Sequence, residues 1–236
     1  MSRRSCGALV GAGGLAALVY LGWQVVTWPD VAALTRENPR TTAFIERYRA
    51  GGGRSGGAVE VAWRWVPYEA ISPHLKRAVV VAEDIEFFDH RGFAGAEIEN
   101  ALRQAWEEKE LPRGASTISQ QVAKNLWLSG SRNPLRKVKE AILTRELERA
   151  LPKRRILEIY LNVAEFGPRV FGAEAAARRY FGKPAAALDE RQAALLAASL
   201  PRPSQWHAGS PSRAYARHAE RIRRRMAKAA WLRDLI

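Results

Sequence analysis

Apolar and polar positions follow three regimes along this chain. Residues 7–28, GALVGAGGLAALVYLGWQVVTW, carry no charge. As a helix rising 1.5 Å per residue, about 22 residues span roughly 33 Å, enough for a bilayer core. From residue 29 to about 70 the pattern is irregular. GGGRSGG (51–57) reads as a flexible loop, and VEVAWRWVPY (59–68) alternates like a short strand or extended arm. From Ser72 the period becomes helical. Ser72 is an N-cap with Pro73 at the first helical position, and the apolar residues of LKRAVVVAED bunch toward its end. Further helices are predicted at about 95–109, 116–128, 135–150, 153–162, 172–181, 189–200 and 212–230. No βαβ rhythm and no internal repeat appears, so the fold class is mainly α.

Charge places the uncharged run. Arg3 and Arg4 precede it, which keeps a short N-terminal tail in the cytoplasm. Trp23 and Trp28 stand where an aromatic belt forms. A cleaved signal peptide is the rival reading, but the run is long for one and no A-x-A site follows it. The expected organisation is a cytoplasmic tail (1–6), a single-pass transmembrane anchor (7–28), a juxtamembrane segment (29–70) and a catalytic domain (71–230) in the periplasm. The whole chain carries a net charge of +14, which points to an anionic partner: nucleic acid, anionic lipid or a phosphorylated substrate. Eight Lys and Arg residues against two carboxylates follow position 212. They read as a solvated amphipathic helix or as a cationic face for lipid headgroups. Cys6 is the only cysteine, which excludes an internal disulfide and a Cys-based zinc site. His74, His90, His207 and His218 lack ligand spacing, so no protein-bound metal is expected.

Three clusters could carry chemistry. In residues 82–93 (AEDIEFFDHRGF) four carboxylates, Glu83, Asp84, Glu86 and Asp89, sit among three phenylalanines. A carboxylate near aromatics and other carboxylates has a raised pKa, suited to proton transfer. Composition does not say which one, and a charged helix end over buried Phe is the simpler reading. In residues 114–128 (GASTISQQVAKNLWL) a helix starting at Ser116 or Thr117 puts Thr117, Gln121 and Lys124 on one face. Ile118, Val122 and Leu126 then point to the core. In RKVKE (136–140), Arg136, Lys139 and Glu140 share a face, near Arg132. Arg and Lys there suit a phosphorylated group, while an Arg136–Glu140 ion pair is the bland alternative. Two carboxylate sites separated by an amide-rich, cationic helix suit chemistry at an anomeric carbon with a phosphorylated leaving group.

These motifs resemble the monofunctional biosynthetic peptidoglycan transglycosylases, relatives of the glycosyltransferase domain of class A penicillin-binding proteins. The resemblance covers about residues 65–225. It rests on EDIEFFDHRGF (83–93), GASTISQQVAKNL (114–126), RKVKE (136–140), KRRILEIYLNVAEFG (153–167) and GAEAAARRYFGKP (172–184), in family order. It implies a lysozyme-like helical domain that polymerises lipid II into glycan strands with inversion, releasing undecaprenyl pyrophosphate. By that resemblance Glu83 is the general base and Glu140 the second functional glutamate. Lys124, Arg132, Arg136 and Lys139 fall where the family binds pyrophosphate. Ser116, Thr117, Gln121 and Asn125 match its substrate contacts, and Tyr160, Asn162, Glu165 and Phe166 shape the site. No cofactor is required, although a divalent cation can accompany the pyrophosphate. The partners implied are lipid II, the growing strand, the membrane and proteins of cell-wall synthesis or division. Three departures stand out: Ala115 for the second Gly of a Gly-Gly-Ser-Thr turn, Trp127 for Phe, and Ala94 for an acidic residue. The nearest rival is a glycan-cleaving enzyme of lysozyme type, which explains Glu83 but not the cations near Glu140. A nucleic-acid binder would interleave its cations with exposed aromatics; here they cluster with carboxylates instead.

Overall fold

The computed structural model describes residues 22–24, 26–51, 60–93, 116–128 and 134–236. The chain forms two compact units, residues 1–30 and 31–236. The anchor expected over 7–28 lies, except for its last residues, outside the described part. Among the described residues no helix is long and apolar enough to cross a membrane. The helix expected near 95–109 also lies outside them, as do Arg132, Ala94 and Ala115.

The second unit is mainly helical. It begins with a 3-10 turn, Ala32–Thr35, and an eight-residue helix, α1 (Ala43–Ala50). Thr42 caps α1 by accepting the Ile45 N–H at 3.0 Å, and Ile45 is fully buried. Both lie in the segment read from sequence as juxtamembrane. A two-residue strand, β1 (Ala62–Trp63), comes next. Helix α2 (Pro73–Glu83) starts where the sequence places it: Ser72 accepts the His74 N–H at 3.2 Å, and Pro73 costs no hydrogen bond at the first position.

The other helices are α3 (Ile118–Trp127), α4 (Pro134–Ala150), α5 (Lys153–Val163), α6 (Ala173–Phe181), α7 (Glu190–Ser199) and α8 (Arg213–Lys228). Helix α5 is the central pillar. Ile156, Leu157, Ile159, Tyr160, Leu161, Asn162 and Val163 are all buried, so it is apolar on nearly every side. Fully burying one large apolar side chain contributes roughly 1.5–3 kcal/mol. Helix α7 buries Ala193, Ala194, Ala197 and Ala198, and these small residues let α2 and α8 pack closely against it.

Between α5 and α6 lie β2 (Glu165–Gly167) and β3 (Val170–Phe171). Strand β3 pairs antiparallel with β2 and parallel with β1, giving the order β1-β3-β2. Asn162 ends α5 and extends the pairing. Its side chain accepts the Val66 N–H and donates to the Val66 carbonyl, both at 2.9 Å. The alternating run 59–68 is therefore a strand only at Ala62–Trp63, with an arm tied to a side chain beyond it. Gly172 opens α6 at φ +80°, and a Cβ there would lie 2.6 Å from the Asn162 carbonyl oxygen. Only glycine fits that crossing.

Candidate active site

Helix α2 ends at Glu83, and the next carboxylate builds the floor of the site. Asp84 is buried. Its Oδ2 accepts the Ile118 N–H at 3.0 Å, at the first residue of α3, and both its oxygens lie 3.0 Å from His90 Nε2. The Gly92 N–H donates to His90 Nδ1 at 3.0 Å. The ring proton therefore sits on Nε2, facing Asp84. The Gly92 carbonyl accepts from the Thr117 hydroxyl at 2.7 Å. Gly92 has φ +98°, and a Cβ on it would meet Thr144 Cγ2 at 3.0 Å. These bonds sew the loop after α2 to the start of α3.

The α3 N-terminus is a full capping box. The Thr117 hydroxyl accepts the Gln120 N–H at 3.2 Å, and Gln120 Oε1 accepts the Thr117 N–H at 2.9 Å. The Thr117 and Gln120 side chains thus hold the turn, while Ser116 is half-buried ahead of it. Ile118, Val122 and Leu126 face the core as the periodicity predicts. On the other face, Gln121 Nε2 donates to Glu83 Oε2 at 2.8 Å, and the Tyr160 hydroxyl donates to Gln121 Oε1 at 3.0 Å. A buried pillar residue thereby fixes the amide that touches Glu83.

This geometry separates the four carboxylates of the first cluster. Glu86 and Asp89 are exposed, and Asp84 is occupied by Ile118 and His90. Glu83 is half-buried and holds one side-chain hydrogen bond. Burial pushes its pKa up, opposed by the Gln121 hydrogen bond and the Lys124 charge and reinforced by Asp84. It is the carboxyl suited to accept a proton in a reaction.

One turn on, Lys124 and Asn125 are half-buried. Burial lowers the Lys124 pKa. Glu140 and Glu83 oppose the shift, while Arg136 and Lys137 add to it. Lys124 therefore feels both glutamates at once. On α4, Glu140 is buried between two cations: Arg136 Nη1 donates to Oε2 at 3.1 Å and Lys137 Nζ donates to Oε1. The Arg136 Nε–H is buried and finds no partner among the described residues. Lys139 is half-buried on the same helix.

Sequence reasoning passed over Lys137, although it lies at i−3 from Glu140. It also passed over α1, which supplies Phe44 next to Lys124 and Tyr48, whose hydroxyl donates to Glu165 Oε1 at 2.8 Å. Burial raises the pKa of Glu165 and takes that of Tyr48 to about 12. Among the described residues no three His, Cys, Asp or Glu side chains group as a metal site.

A half-buried carboxyl and a cationic pocket separated by one helix turn can take a proton from a hydroxyl and hold an anionic leaving group. Similarity to known proteins agrees with this chemistry. The family model described as Transglycosylase matches residues 53–228. A biosynthetic peptidoglycan transglycosylase of Azoarcus sp. (strain BH72) is 47% identical over 211 residues, covering 89% of this chain and 91% of that protein. One from Laribacter hongkongensis is 44% identical over 215 residues (90% and 94%), and one from Chromobacterium violaceum is 44% identical over 220 residues (93% of each). With a family match across residues 53–228 and relatives aligned over most of its length, the chain belongs to the transglycosylase family.

Proposed function

We infer that this chain builds the glycan of peptidoglycan. It is a peptidoglycan glycosyltransferase of cell-wall synthesis, as its family and the names of its relatives support. The finer reading is ours. The substrate is lipid II, a disaccharide-peptide on undecaprenyl pyrophosphate, and the product is a β-1,4-linked strand. Glu83 takes the proton of the acceptor's GlcNAc 4-hydroxyl as that oxygen attacks C1 of the donor's MurNAc. The C1–O bond to phosphate breaks, the configuration inverts, and undecaprenyl pyrophosphate departs with the bonding electrons. The proton then passes from Glu83 to solvent. Lys124, Arg136 and Lys139 hold the departing diphosphate, joined by Arg132, and Ser116, Gln121 and Asn125 line the sugar path. The second glutamate, Glu140, fixes Arg136 and Lys137. A divalent cation can arrive with the diphosphate as part of the substrate.

The observation that carries this reading is the geometry along α3 and α4: Gln121 bonds Glu83 at 2.8 Å, Lys124 follows one turn on, and Arg136 and Lys137 bracket Glu140. A lysozyme-like hydrolase needs the first carboxyl but not a cationic nest around the second. The uncharged run 7–28 supports a single-pass anchor that leaves the enzyme on the outer side of the inner membrane, where lipid II is used. The described residues from Val31 onward belong to one compact body, so the domain takes in part of the segment after that anchor. The test is incubation of full-length protein with lipid II beside a Glu83→Gln variant. Polymer from the wild type and none from the variant is expected. Digestion of preformed glycan by the wild type, or undiminished polymer from the variant, overturns the reading.

A further inference from the structure

Helix α1 precedes the family-matched region, yet it reaches the site. The Arg47 guanidinium carbon lies 4.5 Å from the centroid of the Phe44 ring, and Lys124 Nζ lies 5.8 Å from the same centroid. Arg47 Nη2 also donates to the Leu128 carbonyl at 3.3 Å. Leu128 caps the α3 turn that carries Lys124, and its own N–H donates to the Lys124 carbonyl at 3.1 Å. One aromatic ring and one turn of α3 therefore gather two cations. Like charges drawn together cost energy unless an anion joins them.

We propose that Arg47 is a further ligand for the diphosphate of the substrate, acting with Lys124 beside Phe44. A guanidinium carries five N–H donors in a planar fork. The bond to Leu128 uses one of them, and Arg47 is exposed, so among the described residues the rest of the fork is left to a ligand. Arg47 adds a positive charge beside the ring that Lys124 also approaches, and Arg136 and Lys137 act on the same ammonium. A diphosphate diester brings two negative charges to such a cluster. The Arg136 Nε–H, which has no acceptor among the described residues, is a second candidate donor. Helix α1 is firmly set for this role: Thr42 caps it, Ile45 is fully buried, and Tyr48 bonds Glu165 and meets the Phe171 ring edge-on at 5.5 Å. Phe44 and Arg47 stand three residues apart and share a face of the helix.

The inference rests on the glycosyltransferase reading, so its test includes a measurement that does not need turnover. Inorganic pyrophosphate is titrated into full-length protein by calorimetry, and kcat and KM are measured with lipid II. Arg47→Ala is expected to weaken pyrophosphate binding and raise KM, each about fivefold, with kcat within twofold. Arg47→Lys retains most of the affinity. Arg49→Ala removes the same charge from α1, where Arg49 pairs with Glu46, and is expected to change neither quantity. Wild-type protein that does not bind pyrophosphate, unchanged binding in Arg47→Ala, or an equal loss in Arg49→Ala overturns the proposal. So does a lower melting temperature and kcat in Arg47→Ala with pyrophosphate affinity intact, since that marks Arg47 as a clamp on α3 alone. If Arg47→Ala loses pyrophosphate but wild type makes no polymer, the anion site stands and the glycosyltransferase reading falls.

Discussion

Exchanging Asp84 for asparagine keeps the shape of the side chain and changes what it can accept. The carboxylate takes the Ile118 N–H at 3.0 Å on Oδ2 and the His90 Nε2–H at 3.0 Å to either oxygen. Asparagine offers one oxygen and presents an NH₂ group in place of the other. Either the start of α3 or the His90 ring then faces a donor. Both the Asp84 and His90 side chains are buried, so water cannot readily replace the lost partner. A lost hydrogen bond to a charged group is worth about 1.5–3 kcal/mol, and a buried donor left facing another donor adds a desolvation cost of about 1–3 kcal/mol. The expected loss is about 3 kcal/mol. At roughly 2–4 °C per kcal/mol for a body of about 200 residues, the melting temperature falls by about 6–12 °C. Activity falls as well, because Ile118 anchors the turn that presents Gln121 to Glu83. The assay is thermal unfolding of Asp84→Asn, His90→Ala and the double variant, with polymerisation in parallel. The double variant should fall well short of the sum of the singles, with a coupling of about 1–3 kcal/mol. A drop under about 2 °C in Asp84→Asn, or additive singles, refutes the clamp.

The neighbouring Glu83→Gln change carries the opposite sign on stability. Burial raises the native pKa of Glu83 above its ordinary 4.5, so its stabilising contribution is full below that value and is lost as pH rises through the native one. Glutamine escapes the loss. The variant should melt no lower than wild type at pH 8 and match it near pH 4, and a clearly lower melting point at pH 8 contradicts the burial argument. Gln121→Met removes the hydrogen bond that holds the Glu83 pKa down, so the acid limb of kcat/KM should move to higher pH; an unmoved limb means Glu83 is not the titrating base. In wild type the acid limb of kcat should lie above that of kcat/KM, because bound diphosphate offsets Lys124; coincident limbs under rate-limiting chemistry refute that coupling. Gly167→Ala places a Cβ 1.8 Å from the Tyr180 hydroxyl oxygen, a clash expected to cost about 1–3 kcal/mol. Denaturant melts should show partial recovery with Tyr180→Phe, and a neutral Gly167→Ala shows that the Tyr180 ring, stacked on His207 with ring centroids 5.6 Å apart, yields freely.

The longer helices were legible because their signals are local. Thr117 and Gln120, and likewise Asp189 and Gln192, are reciprocal caps at three-residue spacing, and the Ile118, Val122 and Leu126 stripe marks the buried face of α3. What escaped depends on distant partners. Strands β2 and β3, of three and two residues, carry no alternation to read, whereas the alternating run 59–68 signalled β1 but not its shortness; β1 and β3 pair where Asn162 and Gly172 bring the arm and the hairpin together. Helix α1 is eight residues long, and its ties to Leu128 and Glu165 lie about 80 and 117 positions away. Thr42 ahead of Phe44, Ile45 and Tyr48 was a usable start signal for it. Composition offered four carboxylates near Phe87. Only tertiary structure separates them, since Asp84 is occupied by an amide of α3 that is remote in sequence. Lys137 is the opposite case: its i−3 spacing to Glu140 was visible, but attention went to the face of Arg136 and Lys139.

The site is best understood through Lys124. A general base needs a proton affinity high enough to take a hydroxyl proton, yet must be ionised when the acceptor arrives. Burial shifts Glu83 toward the protonated form. Gln121 and Lys124 pull it back, and Tyr160 keeps Gln121 in place. The field of Lys124 is divided, however, because Glu140 and the cations around it act on the same ammonium. On the proposed reading, a diphosphate bound at Lys124 would oppose that field with its two negative charges and weaken the restraint on the proton affinity of Glu83. Glu83 would then be a stronger base in the complex than in the free enzyme, at the moment the leaving group is in place. A carboxyl flanked only by solvent would gain little from this, since water screens such fields. In this fold the gain would follow from Gln121 and Lys124, about one helical turn apart on α3, meeting the Glu83 carboxyl at the end of α2 and the cations of α4.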